Sequence, residues 1–125
     1  ARIKNGFQKE LVLGNLDAKR DWGWSPEFVE AIYLIMQQEK PDVFVVATGE
    51  THTIKEFVEE AFSYVGLNWR DYVKIDNKFK RPNEVPLLLG NSSKAEREFG
   101  WRLKMKFKEI VHTMVDYDLE HPHDN

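Results

Sequence analysis

The chain has 125 residues, enough for one domain with a core of its own, and 42% of them are hydrophobic and 31% charged. The formal net charge of −3 comes without a block of like charge, which points away from a nucleic-acid partner, and no apolar run approaches the length of a membrane span. Cysteine is absent, so disulfides and thiolate metal sites are excluded and a reducing, cytoplasmic setting is expected; the opening "ARIKNGFQKE" carries no secretory apolar region. In chain order, "ARIKNG" has the look of a helix end, stopped at Asn5 and Gly6. "ELVLGN" is a short apolar run closing on Gly14 and Asn15, hence a strand and turn, and "LDAKRDWGW" is a polar loop.

"SPEFVEAIYLIMQQEK" predicts a helix. Ser25 can cap it, Pro26 suits its first turn, Phe28, Ile32, Ile35, Val29 and Met36 fall near helical spacing, and Pro41 stops it after Lys40. "DVFVVATG" is dense in valine and predicts a buried strand. "THTIKEFVEEAFSYVG" opens with a capping box, Thr53 with Glu56 three positions on. It continues as one apolar stripe of Ile54, Phe57, Val58, Ala61 and Val65, and stops at Gly66. "DYVKID" predicts a short strand. "SSKAEREFGW" predicts a short helix capped by Ser92 or Ser93 and closed by Gly100. "FKEIVHTMVDYDLE" predicts a last amphipathic helix with Phe107, Ile110, Val111 and Met114 on one side, and 121–125 form a frayed, disordered tail. The class is α/β: a small mixed domain over 1–120, with short strands and about four helices. So few strands must be covered by the helices or by another chain. The 8 Phe, 4 Trp and 4 Tyr are many for this length, and either fill the core or form surfaces that face a partner.

No G-x-G-x-x-G, P-loop or G-x-S-x-G is present, so no cofactor site is legible, and His52, His112, His121 and His123 lack the spacing of a metal-binding helix. Two other stretches can carry chemistry. In "KRPNEVPLLLG", Pro82 and Pro86 keep the backbone out of a helix, so Arg81 and Glu84 project close together from an extended strip. A guanidinium forks onto phosphate oxygens, and a carboxylate matches the two donors of a ribose diol. The pair can therefore clamp a nucleotide, or it can be an exposed ion pair worth under about 1 kcal/mol. In "LGNLDAKRDWG", Lys19 and Arg20 beside Gly14 and Asn15 can form an anion site, or a solvated loop in which Arg20 pairs with a local carboxylate.

"LVLGNLDAKRDWG", "VVATGETHTIKEFVE", "RPNEVPLLLGN" and "SSKAEREFGW" occur in that order. Together they resemble the C-terminal part of the GDP-mannose 4,6-dehydratase family of extended short-chain dehydrogenase/reductases, over nearly the whole chain from about residue 2 to Glu120. The resemblance implies a fold that mixes the last pieces of the cofactor-binding sheet with a small substrate domain. It implies that Arg81 meets the diphosphate of GDP-mannose and Glu84 the ribose. It sets Arg20, Lys19 and Asn15 in a substrate-facing loop, Arg20 near phosphate. Trp24 and Ser25 after "RDWG", Asn77, Lys80 and Pro86 depart from the family pattern and bear on the fit of the pocket. The family's NADP, and its Thr, Glu base and Tyr-Lys pair, belong to an N-terminal region outside these 125 residues. The chain alone is therefore expected to bind GDP or GDP-mannose weakly, to have no dehydratase activity and to self-associate. The other expectation is a domain that binds no ligand and acts as a self-associating structural protein.

Overall fold

The computed structural model describes residues 1–79 and 85–122. Its elements run β1 (Leu11–Leu13), β2 (Lys19–Arg20), α1 (Ser25–Met36), β3 (His52–Thr53), α2 (Ile54–Tyr64), β4 (Val73–Ile75), α3 (Ser93–Phe99) and α4 (Phe107–Glu120). β1 and β4 pair in parallel, Leu11 opposite Val73 and Leu13 opposite Ile75, so the chain between them makes the crossover that a parallel pair requires. β2 and β3 pair antiparallel, Lys19 opposite Thr53 and Arg20 opposite His52. Four helices and short strands in small sheets make this the α/β arrangement that the sequence predicts.

The helix ends follow from local chemistry. The Thr53 hydroxyl accepts from the Glu56 amide at 3.0 Å and the Glu56 carboxylate accepts from the Thr53 amide at 2.7 Å, so the capping box forms as spelled. The chain turns out of α2 at Gly66 and out of α3 at Gly100. One expected cap is corrected. Ser25 is already the first helical residue of α1 and makes no capping bond; Trp24 holds the cap position in extended conformation. Ser92 holds the cap position of α3 as expected, without a side-chain bond, and Asn91 Oδ1 accepts from the Ser93 amide at 2.9 Å. α1 also ends at Met36, a turn before Lys40, because Gln37 and Gln38 close onto the carbonyls of Leu34 and Ile35.

The core is in two parts. α2 packs on α4 through Val58, Phe62, Ile110, Val111 and Val115, all buried, while Met114 stands 47% exposed at the edge of the expected stripe. Phe62, outside the predicted stripe of α2, stacks on Tyr72 with ring centroids 5.8 Å apart. Elsewhere Ala31 of α1, Ala95 of α3 and Trp101 form a cluster with Phe28, Leu34, Phe44, Val46, Phe99 and Leu103. The indole of Trp101 donates to the Glu27 carbonyl at 2.9 Å.

The buried strand predicted for "DVFVVATG" does not form. Burial alternates as in a strand, with Phe44 and Val46 turned to the cluster, but Val43 is 82% and Val45 52% exposed. Among the described residues, no backbone group of 44–47 has a backbone partner. An apolar run specifies an extended, packed face; a ladder needs a hydrogen-bonded neighbouring strand as well, and among the described residues none pairs with it. α1 is open in the same way: Val29, Ile32, Tyr33 and Met36 are more than half exposed, although Val29, Ile32 and Met36 fall near helical spacing. A helix apolar on every side does not declare which side goes in.

Candidate functional site

The loop 14–21 is stitched down before it reaches any candidate residue. Asn15 Oδ1 accepts from the Asp17 amide at 2.9 Å, an Asx turn. The carbonyls of Leu16 and Ala18 accept from the amides of Lys55 and Ile54 at 2.9 and 3.1 Å, which docks the loop on the start of α2, and Ala18 is 2% exposed. β2 then lies between β3 on one side and the strip 86–88 on the other. The Lys19 amide donates to the Pro86 carbonyl at 3.1 Å, and the Leu88 amide donates to the Lys19 carbonyl at 3.4 Å.

Arg20 is half-buried, and its Nη1 donates to the carbonyl of Val85 at 2.8 Å and to that of Lys19 at 2.7 Å. The guanidinium thus grips the chain immediately after the Arg-Pro-Asn-Glu stretch. Trp22 goes the other way. Its ring lies 5.3 Å from that of Phe57 and 5.8 Å from that of Phe107, joining the loop to α2 and α4. Asp21, between them, carries no role in the sequence reading. Its Oδ1 accepts from the Thr48 amide at 2.9 Å, and its Oδ2 from the amides of Gly49 and Gly90 at 3.1 and 3.3 Å. No local signal marks it, since its partners lie 27, 28 and 69 positions away in sequence.

The structure therefore brings Lys19 and Arg20 to the root of the Arg81 strip and sets Asn15 at the turn that begins the same loop. Arg81 and Glu84 themselves lie outside the described residues, as does His123.

A second polar cluster lies between α2 and α4. His52 stacks on Phe107 with ring centroids 3.8 Å apart, and its ring nitrogens stand 3.5 Å from Glu56 and 3.9 Å from Glu50. His112 Nε2 is 2.7 Å from Glu60 Oε1, and Lys108 Nζ is 3.0 Å from Glu60 Oε2. The bond from Lys108, and then that from His112, holds the Glu60 carboxyl below the usual carboxylate range against the opposing pull of burial. Among the described residues, no group of three or more His, Asp and Glu side chains is placed to hold a metal ion, and no helix is long and apolar enough to cross a membrane.

The chain as a whole superimposes on portions of solved enzymes. The chain superimposes on dTDP-glucose 4,6-dehydratase of Bacillus anthracis in complex with NAD with a TM-score of 0.82 and 21% identity, covering 98% of this chain and 38% of that one. It superimposes on UDP-glucose 4-epimerase of Bifidobacterium longum in complex with NAD+ and UDP with a TM-score of 0.82 and 17% identity, covering 99% and 39%. At these identities the likeness establishes the fold alone: the chain is folded as a portion of each of these enzymes is. Sequence is more specific. The family profile described as GDP-mannose 4,6 dehydratase matches residues 1–114, and GDP-mannose 4,6 dehydratase 1 of Arabidopsis thaliana is 55% identical over 119 residues. The chain belongs to the GDP-mannose 4,6-dehydratase family. That match covers 95% of this chain and 33% of the relative, so the chain spans about a third of the length of such relatives.

Proposed function

We propose that this polypeptide holds the nucleotide end of a GDP-sugar, GDP-mannose by its family. Arg81 meets the diphosphate and Glu84 the ribose diol, while Lys19, Arg20 and Asn15 shape the loop that faces the phosphates. The observation that carries this reading is the bond from Arg20 to the Val85 carbonyl at 2.8 Å, which fixes the root of the strip next to the candidate clamp. Charge-assisted bonds of the kind Arg81 and Glu84 would make contribute roughly 1.5–3 kcal/mol each. The 125 residues contain neither a Gly-rich cofactor motif nor a Tyr-x-x-x-Lys, so the chain alone does not move the hydride that the family's NADP supplies. The cytoplasmic setting expected from composition accompanies this reading.

Calorimetric titration with GDP and then GDP-mannose tests it. Weak binding is expected, abolished by Arg81→Ala and unchanged by His123→Ala. No heat up to millimolar GDP would overturn the reading. Turnover of GDP-mannose with added NADP to a 4-keto-6-deoxy product would overturn the inactivity of the isolated chain.

One observation favours a second reading, self-association without ligand: the backbone of 44–47, which has no backbone partner among the described residues, with Val43 and Val45 exposed beside it. Two copies related by a two-fold axis satisfy such an edge by antiparallel pairing. Sedimentation is then expected to show a dimer that Val45→Lys dissociates. A monomer at all concentrations removes this reading and leaves the first untouched.

A further inference from the structure

Three consecutive residues hold the strip 85–90 at successive points. Arg20 takes the Val85 carbonyl, the Lys19 backbone takes Pro86 and Leu88, and Asp21 takes the Gly90 amide. The same Asp21 carboxylate takes the amides of Thr48 and Gly49. We infer that Asp21 is a positioning residue for the nucleotide clamp. Its carboxylate fills a nest of three backbone amides and locks the far end of the strip 85–90, which Arg20 locks at the near end, directly after the clamp residues in the chain. The ligand side of this inference rests on the nucleotide-binding reading; the amide nest does not.

The nest is built for a carboxylate. Converging N–H dipoles create a positive site that an anion satisfies better than a neutral group. Both oxygens are used, Oδ1 by Thr48 and Oδ2 by Gly49 and Gly90, so an asparagine can serve one side only and turns donors toward the other. The backbone fits the same purpose. Gly49 has φ +76°, a region that L side chains rarely adopt, and that conformation presents its amide beside that of Thr48. A Cβ on Gly90 would fall 2.1 Å from the Cβ of Ala47, so only glycine lets the strip lie close enough for its amide to reach Asp21. The two bonds that pull "ATGE" and "LLLG" together therefore come from the single acid of "RDWG".

The test uses the 125-residue chain, GDP and formate. Asp21→Ala is expected to weaken GDP binding about tenfold, the scale of a lost charge-assisted bond. Formate, which fits the vacated nest, is expected to restore most of that loss where chloride at the same ionic strength does not. Wild-type affinity in Asp21→Ala, or equal effects of formate and chloride, overturns the inference. Amide hydrogen exchange at Thr48, Gly49 and Gly90 gives a readout that needs no nucleotide. Asp21→Ala is expected to speed exchange at all three by at least about tenfold, with formate slowing it again. Unchanged exchange at Gly90 overturns the positioning role. If wild type binds no GDP but the exchange pattern holds, the nucleotide reading fails and the nest stands. Should Asp21→Ala not fold, Asp21→Asn keeps the volume and one acceptor. It is expected to protect either Thr48 or the two glycines; protection of all three overturns the inference.

Discussion

The α2–α4 half and the α1–α3 half of this molecule are built to different degrees of closure. In the first, two helices press buried side chains together, β1 and β4 pair in parallel, and Val111 is fully buried. In the second, α1, α3 and the extended segment 42–48 share an inner cluster around Ala31, Ala95 and Trp101, yet their outer faces carry Val29, Ile32, Tyr33, Met36, Val43 and Val45 into solvent. The first half pairs its two strands with each other; the second packs its inner side chains and, among the described residues, leaves the backbone of 44–47 without a backbone partner. The difference teaches where the candidate loop takes its support. Leu16, Ala18 and Trp22 dock it on α2 and α4 in the closed half, and Asp21 ties it to Thr48 and Gly49 at the edge of the open one.

The largest way to break this comparison is a paired substitution. Phe62→Ala in the closed half removes a ring that is 9% exposed and stacked on Tyr72, and is expected to lower the unfolding free energy by about 3–5 kcal/mol. Val43→Ala in the open half removes a side chain that is 82% exposed and is expected to change it by less than about 0.5 kcal/mol. Urea unfolding of both variants decides. Equal losses would mean that the open face is covered in solution and that the two halves do not differ in closure.

The helix caps sharpen it at a smaller scale. Thr53→Ala removes the acceptor for the Glu56 amide and is expected to cost about 1 kcal/mol in thermal or urea unfolding. In the open half Asn91→Ala is expected to cost a comparable amount, while Ser92→Ala leaves stability unchanged, since only the Asn91 side chain meets the Ser93 amide. A loss at Ser92 and none at Asn91 would reverse the assignment of that cap.

What was legible in the sequence follows the range of each interaction. The capping box at Thr53 and Glu56 spans three positions, and the stripe of α2 and α4 repeats every three or four, so both can be read from neighbouring letters. The inner face of α1 could not be, because apolar residues stand on all its sides and the choice was made by Trp101 and Ala95, far along the chain. β2 and β3 are two residues each and polar, and exist through their pairing with each other and with Leu87. The loop of Lys19 and Arg20 was found by its composition, but its grip on Val85 joins positions 65 apart. Asp21 escaped for the same reason, compounded by partners that are backbone amides and carry no signature in sequence. The spacing of Arg81 and Glu84 was readable, while their placement lies outside the described residues.

The smallest expected effect tests the seam that holds the closed half. The bond from Lys108, and then that from His112, holds the Glu60 carboxyl below its ordinary range. A carboxyl depressed in the folded state binds its proton more readily when unfolded, so its contribution is fully present above the ordinary glutamate value of about 4.3 and is lost as pH falls through the lower folded value. Wild type and Glu60→Gln are therefore expected to differ in urea midpoint by a constant amount from neutrality down to about pH 5, with the gap closing on further acidification. The gap should also shrink with added salt at neutral pH, because Lys108 is 72% exposed and its attraction is screened. A gap that persists unchanged to about pH 3 would mean that Glu60 is not held as an anion by these partners, and that the seam between α2 and α4 rests on its buried apolar side chains alone.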